Sequence, residues 1–376
     1  VGTLTYEELK IITGLVFMSK KYLFSRWLHL FLQVTVFGCS AFLVLVAPTI
    51  INSPSSKLLA QKAISQDLEA ASFFQQGVMR YNRNDLQGAE YAFRQALQKD
   101  FNLSAARNYL GNIFLQQNRF DEAVQEYAEA IKINPNFSEA YYNLGLVLHR
   151  QGEKQAAITA YRQSLVINPT NPTTLYNLGL VLYEQGQLQE AIATYQQAIN
   201  LDNSNANAYF NLAIALQQQG NIEMAIATYR QALELDPKNA TAYNNMASLL
   251  AIHGQPAEAI SVYRQAIRQN PKNASAYYNL GVTLYNQGDI KKANGALKRA
   301  HNEYRQQGNI EQAEKIEQLM QQIAQKREQQ QPQTNQTATP SPTPASETQN
   351  QPETPASPSD IPVSAEPQSG SSSFGQ

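Results

Sequence analysis

The sequence predicts an all-α fold, a solenoid of seven helix-turn-helix hairpins. Three observations predict it. Aligned on itself at a spacing of 34 residues, the chain gives seven consecutive blocks without a gap, starting at 70, 104, 138, 172, 206, 240 and 274. The twentieth residue of every block is alanine, while the eighth is Gly or Ala and the twenty-seventh Ala or Ser in all seven. Within the blocks, apolar residues recur at three- and four-residue intervals, the period of a helix face. A hairpin that cannot bury its own apolar stripe must bury it against the next one, which makes such an array a solenoid.

The chain begins with a different kind of segment. From Trp27 to Ile51, 25 residues carry no formal charge. As a helix rising about 1.5 Å per residue this stretch reaches roughly 37 Å, enough for a bilayer core of about 30 Å. Lys20, Lys21 and Arg26 precede it, a placement that keeps residues 1–26 cytoplasmic and sends the downstream chain across the membrane. Met18 is the expected start, with residues 1–17 an upstream extension. Read as a cleaved signal, the segment is long and Pro48 directly follows its small-residue site at Val46-Ala47. Read as a lipoprotein signal, Val36-Phe37-Gly38-Cys39 carries a bulky Phe37 and is followed by apolar residues. An uncleaved signal anchor over 27–51 fits best. The chain is then a single-pass membrane protein with its array on the periplasmic side of a bacterial membrane.

Residues 52–69 contain no helix breaker after Pro54 and read as a helical stalk. Block three shows why each block of the array at 70–307 makes two helices. Tyr141, Leu144 and Leu148 form one helical stripe, and Ala157, Tyr161 and Ser164 form a second. Gly152 lies between them, suited to the left-handed residue that closes a helix. Pro169 follows the second stripe, where it cannot continue the hydrogen-bond ladder. After the last block, Ile310, Ala313, Ile316, Leu319 and Ile323 make a one-sided stripe, a capping helix over 308–328. From residue 329 the composition turns to Gln, Pro, Ser and Thr, with nine of the 17 prolines between Pro332 and Pro367 and no Lys or Arg after Arg327. Such a tail buries too little apolar surface to fold, so 329–376 is expected to be disordered.

The motif Tyr-x-Asn-Leu-Gly at Tyr141–Gly145, followed by Gly152, Ala157, Tyr161 and Pro169, resembles the tetratricopeptide repeat. The resemblance covers residues 70–307 and implies a right-handed superhelix whose first helices line a concave groove. Departures gather at the ends: Gln76 and Arg80 in block one, Arg107 in block two, Leu297 and Arg305 in block seven, with Asn203 replacing the proline of block four. In this family positions two, five, six, nine and thirteen of each first helix usually meet ligands. Position six here is Asn143, Asn177, Asn211, Asn245 and Asn279 in five successive blocks. Position five is Phe74, Tyr142, Tyr176, Phe210 and Tyr278, interrupted by Asn108 and Asn244.

A carboxamide offers donors and an acceptor, so a row of them can satisfy extended peptide backbone. The row is similar to the asparagine ladder in the repeats of O-linked N-acetylglucosamine transferases. The alternative is that each asparagine bonds within its own turn or to water, and that the rings of position five only pack between hairpins. No block has lysine at position five, which argues against the carboxylate clamp that chaperone-binding members use for acidic C-termini.

Charge and motifs narrow the function further. Lys and Arg number 29 against 30 Asp and Glu, so no global field draws the chain to nucleic acid. One cysteine, Cys39, excludes an internal disulfide. The four histidines, His29, His149, His253 and His301, show no metal spacing, and His149 and His253 are expected as exposed residues near hairpin turns. There is no phosphate-binding glycine loop. The expectation is a non-enzymatic scaffold without cofactor or metal, engaging extended segments of partner proteins. A glycan-handling accessory protein and an assembly factor for membrane complexes are the alternatives.

Overall fold

The computed structural model describes the backbone of residues 54–330 and the side chains of residues 68–327. The expected anchor at 27–51 lies outside these residues, as does the expected tail at 329–376 apart from 329 and 330, which are helical. Among the described residues no helix is long and apolar enough to cross a membrane.

The described chain is helical throughout, as the periodicity predicts. The helices are α1 (Pro54–Asn82), α2 (Leu86–Lys99), α3 (Ser104–Gln116), α4 (Phe120–Ile133), α5 (Ser138–Arg150), α6 (Lys154–Ile167), α7 (Pro172–Glu184) and α8 (Leu188–Leu201). They continue as α9 (Ala206–Gln218), α10 (Ile222–Leu235), α11 (Ala240–Ile252), α12 (Pro256–Gln269), α13 (Ala274–Asn286), α14 (Ile290–Gln306) and α15 (Ile310–Gln330). Two compact units divide inside α8, one ending at Thr194 and the other beginning at Tyr195. In the first, α1–α2, α3–α4 and α5–α6 pair as hairpins, each packed on the next, and α7 packs on α6. In the second, α9–α10, α11–α12 and α13–α14 pair in the same way, and α15 packs on α14.

Within each unit the hairpins close around a column of large residues. Phe93, Tyr127, Tyr161, Tyr195, Tyr229, Tyr263 and Leu297 recur at the same position of each second helix, and all are 0 % exposed. The first helices yield space to them at the eighth position. A Cβ added to Gly111 would sit 2.5 Å from the Tyr127 ring, and one on Gly145 would sit 2.7 Å from Tyr161. The small residues are therefore seats for rings.

Each turn is built from short-range hydrogen bonds. At the end of α7, Gly186 N–H donates to the Tyr183 carbonyl at 2.9 Å and Gln187 N–H to the Leu182 carbonyl at 2.9 Å, the two bonds of a Schellman cap. Gly186 has φ +76°, and the equivalent residue of the second hairpin is Asn118 with φ +58°. Nothing lies within 4 Å of a Cβ built on Gly186, so only the backbone resists a side chain there. Gly186→Ala is expected to cost about 1–2 kcal/mol, while Asn118→Gly should be neutral or slightly stabilising. Paired urea titrations read both. At the opposite ends, Asn171, Asn205, Asn239 and Asn273 cap α7, α9, α11 and α13 by accepting a backbone N–H with their side chains.

The capping stripe departs from expectation at its first member. Ala313, Ile316 and Ile323 are buried, but Ile310, the first residue of α15, is 49 % exposed.

Candidate groove on the first helices

The asparagines of position six are turned inward. Asn143, Asn177, Asn245 and Asn279 are buried, at 8, 7, 1 and 1 % exposure, and Asn211 is half-buried. Asn143 Nδ2 donates to Asn108 Oδ1 at 3.0 Å and to Asn112 Oδ1 at 3.1 Å. Asn279 repeats the pattern, donating to Ser248 Oγ at 3.2 Å and facing Asn244 Oδ1 at 3.5 Å. Asn177 donates to the Tyr142 hydroxyl at 3.2 Å and to the Thr173 carbonyl at 3.1 Å. The Asn245 amide reaches the Tyr229 hydroxyl at 3.4 Å. In each of these four, an amide N–H that could meet a partner backbone is spent tying one hairpin to the one before it.

Position five serves packing as well. Ring centroids lie 5.7 Å apart for Phe74 and Phe93, and 5.9 Å apart for both Tyr142–Tyr161 and Phe210–Tyr229. Each of these rings leans on the buried residue of its own hairpin, and Phe74 also meets Tyr109 of the next hairpin edge-on, with centroids 5.9 Å apart. Phe210 is buried, whereas Tyr142, Tyr176 and Tyr278 are half-buried and keep part of each ring at the surface. Burial pushes the Tyr142 hydroxyl up, and the Asn177 hydrogen bond and the Arg150 charge pull part of the way back. It stays a neutral phenol.

Two polar seams were not anticipated. In the first unit, the Tyr127 hydroxyl donates to Asn112 Oδ1 at 2.7 Å and Asn108 Nδ2 to Glu139 Oε1 at 2.9 Å, around Asn143. In the second, the Tyr263 hydroxyl and Ser248 Oγ lie 3.1 Å apart beside Asn279. A signal for both existed: the blocks that interrupt the aromatic row with Asn108 and Asn244 also carry Asn112 and Ser248 at position nine, where other blocks are apolar. Two polar departures one helical turn apart mark a polar interface.

His149 corrects an expectation of exposure. It is buried at the end of α5, with Nε2 3.1 Å from Glu184 Oε2 at the end of α7. Lys154 Nζ stands 3.1 Å from the same oxygen. Burial pushes the Glu184 carboxyl up, but the hydrogen bonds and charges of His149 and Lys154 outweigh this and hold it below the usual range. His149 is buried because the next hairpin covers it one repeat later. His253 is exposed, as expected, with Glu223 3.3 Å away. Among the described residues no group of three His, Cys, Asp or Glu is placed to hold a metal ion.

The charges are distributed unevenly. Helices α9, α11 and α13 contain no Asp, Glu, Lys, Arg or His. The second helices of the same unit carry charges throughout, and α14 alone has Lys291, Lys292, Lys298, Arg299 and Arg305. The first-helix face of this unit is thus amide, hydroxyl and ring.

This combination, paired helices with a large buried residue on the second helix and a small one on the first every 34 positions, defines a helical-hairpin repeat protein. Family profiles described as TPR repeat match residues 111–152, 151–186, 179–220 and 248–288, and others described as tetratricopeptide repeat match 206–239, 228–261 and 275–307. The chain belongs to the tetratricopeptide-repeat family. No curated protein matches the sequence. Among solved structures, the C-terminal part of a TPR repeat-containing protein from Cytophaga hutchinsonii is similar at 18 % identity and TM-score 0.53, covering 60 % of this chain and 93 % of its own. YrrB, described as a TPR protein with an unusual peptide-binding site, is 23 % identical over 48 % of this chain and 94 % of its own, with TM-score 0.45. Pseudomonas aeruginosa pilF is 20 % identical over 55 and 94 %, with TM-score 0.48. These likenesses are of fold.

Proposed function

We propose that the chain is a membrane-anchored scaffold whose first helices form the groove of a right-handed superhelix and hold extended segments of partner proteins. The observation that carries this reading is the uncharged face of α9, α11 and α13, where amides, hydroxyls and the half-buried Tyr278 stand without any formal charge. Such a surface suits peptide backbone, which has dipoles to satisfy and no net charge. In the first unit Tyr142 and Tyr176 supply the equivalent partly exposed rings. The buried Asn143, Asn177, Asn245 and Asn279 act chiefly by setting the spacing between hairpins, and Asn211 adds a half-buried amide. The charge-free segment 27–51 supports anchoring, and the lysines and arginine before it support an array outside the cytoplasm.

The test uses the full chain in mild detergent on peptide and glycan arrays. Uncharged extended peptides should be captured, with binding little changed between about 0.05 and 0.5 M salt because no ion pair is screened. Tyr278→Ala and Asn211→Ala should each weaken capture several-fold. Capture of glycans alone, or of acidic peptides in a salt-sensitive manner, would refute the reading. A phosphatase fused after residue 328 should be active in cells, and an inactive one would reverse the topology.

A further inference from the structure

We infer that the uncharged face of the second unit is occupied by the chain's own residues 350–362, which compete there with partner segments. This rests on the groove reading above and adds its regulation.

Three features favour this occupant. The first is spacing. Pro352, Pro355, Pro358 and then Ile361 recur every three residues. In a polyproline helix three residues advance about 9.3 Å and return the side chain to the same face. Packed helices stand about 8–10 Å apart, so one apolar side chain would meet each successive hairpin. Aromatic-lined grooves recognise proline-rich segments in this way.

The second is shape and charge. A recess of about 310 Å³ opens between the sixth and seventh hairpins, lined in part by Ala251, Pro256, Thr283 and Asn286. Its walls are apolar or uncharged, and a proline ring fits that lining. Neither α11 nor α13, which frame the recess, carries a charge. The two acids of the segment, Glu353 and Asp360, fall off the proline face in the three-residue register. They can therefore stay in water while the prolines dock.

The third is tethering. Asn350 follows Gln330, the last residue of α15, by 20 positions. That is a contour of about 70 Å, and α15 packs on α14 of the same unit. A segment so close is present at roughly millimolar effective concentration, so even weak docking keeps the face covered until a partner competes.

A photo-crosslinking amino acid at Ile252, which is 50 % exposed at the end of α11, tests this in the full chain in detergent. Irradiation should join position 252 to a peptide from 350–362 of the same molecule, in a yield independent of protein concentration. The triple change Pro352→Ser, Pro355→Ser, Pro358→Ser should lower that yield at least fivefold and tighten capture of array peptides by a similar factor. Cross-links that grow with concentration, that map elsewhere, or that survive the triple change would overturn the inference. If position 252 reaches captured array peptides but never 350–362, the tail assignment falls and the groove reading stands. If it reaches neither, both fall.

Discussion

Tyr161→Ala is expected to destabilise the first unit by about 3–5 kcal/mol, the range for removing a fully buried ring. Tyr161 is 0 % exposed and its ring rests on Gly145, whose missing side chain leaves room for it. Truncation opens a cavity at the centre of the hairpin formed by α5 and α6, and glycine has no side chain with which to fill it. Because stability in a repeat array is set hairpin by hairpin and by nearest-neighbour interfaces, the loss should appear first as faster hydrogen exchange in α5 and α6. Tyr161→Phe separates the ring from the hydroxyl. That hydroxyl is buried without a hydrogen-bond partner, so its removal should be neutral or stabilising by up to about 1 kcal/mol. Tyr127→Phe should do the opposite and cost about 1 kcal/mol, since the Tyr127 hydroxyl donates to Asn112. If the two Phe variants shift the urea midpoint in the same direction, the hydrogen-bond account of the column is wrong.

Asn143→Asp is expected to destabilise by about 2–4 kcal/mol at neutral pH, although it changes one atom group and almost no volume. The amide Nδ2 is donor to both Asn108 Oδ1 and Asn112 Oδ1. A carboxylate there would point charge at two acceptors in a buried site, with Glu139 bonded to the same Asn108. Burial would raise the folded-state pKa of the new acid above its unfolded value. The folded state then binds the proton more tightly, so the deficit is full well above the folded pKa and shrinks as pH falls towards the unfolded one. Urea midpoints of variant and parent should converge between pH 7 and pH 4. An equal gap at both values would mean that the position is hydrated and the seam is not dry.

The fold was legible in the sequence because its determinants recur at a fixed interval. Gly152 falls in the left-handed region where the alternation of stripes required a break. Tyr161 and Ala157 are buried, as their helical spacing implied. The direction of the position-six amides was not legible in this way. Asn143 and Asn279 bond to residues 31 and 35 positions earlier, and whether an amide faces outward or back depends on how tightly one hairpin seats on the last. His149 failed for the same reason: proximity to a turn suggests exposure, but Glu184 arrives from the following repeat. Ile310 failed in the opposite sense, because a periodic stripe on α15 says nothing about how far α14 extends to cover its first turn.

The polar seams give individual blocks an address. Asn279 needs an acceptor at position five or nine of the preceding block, and Asn244 and Ser248 provide it. If recombination between the repeats removed block six, Asn279 would follow Phe210 and Ile214 and lose both partners. Removal of block five instead would leave Asn245 next to Tyr195 in place of Tyr229, the same residue type at the same position. The length of this array is therefore open to revision near its middle and fixed where asparagine meets asparagine.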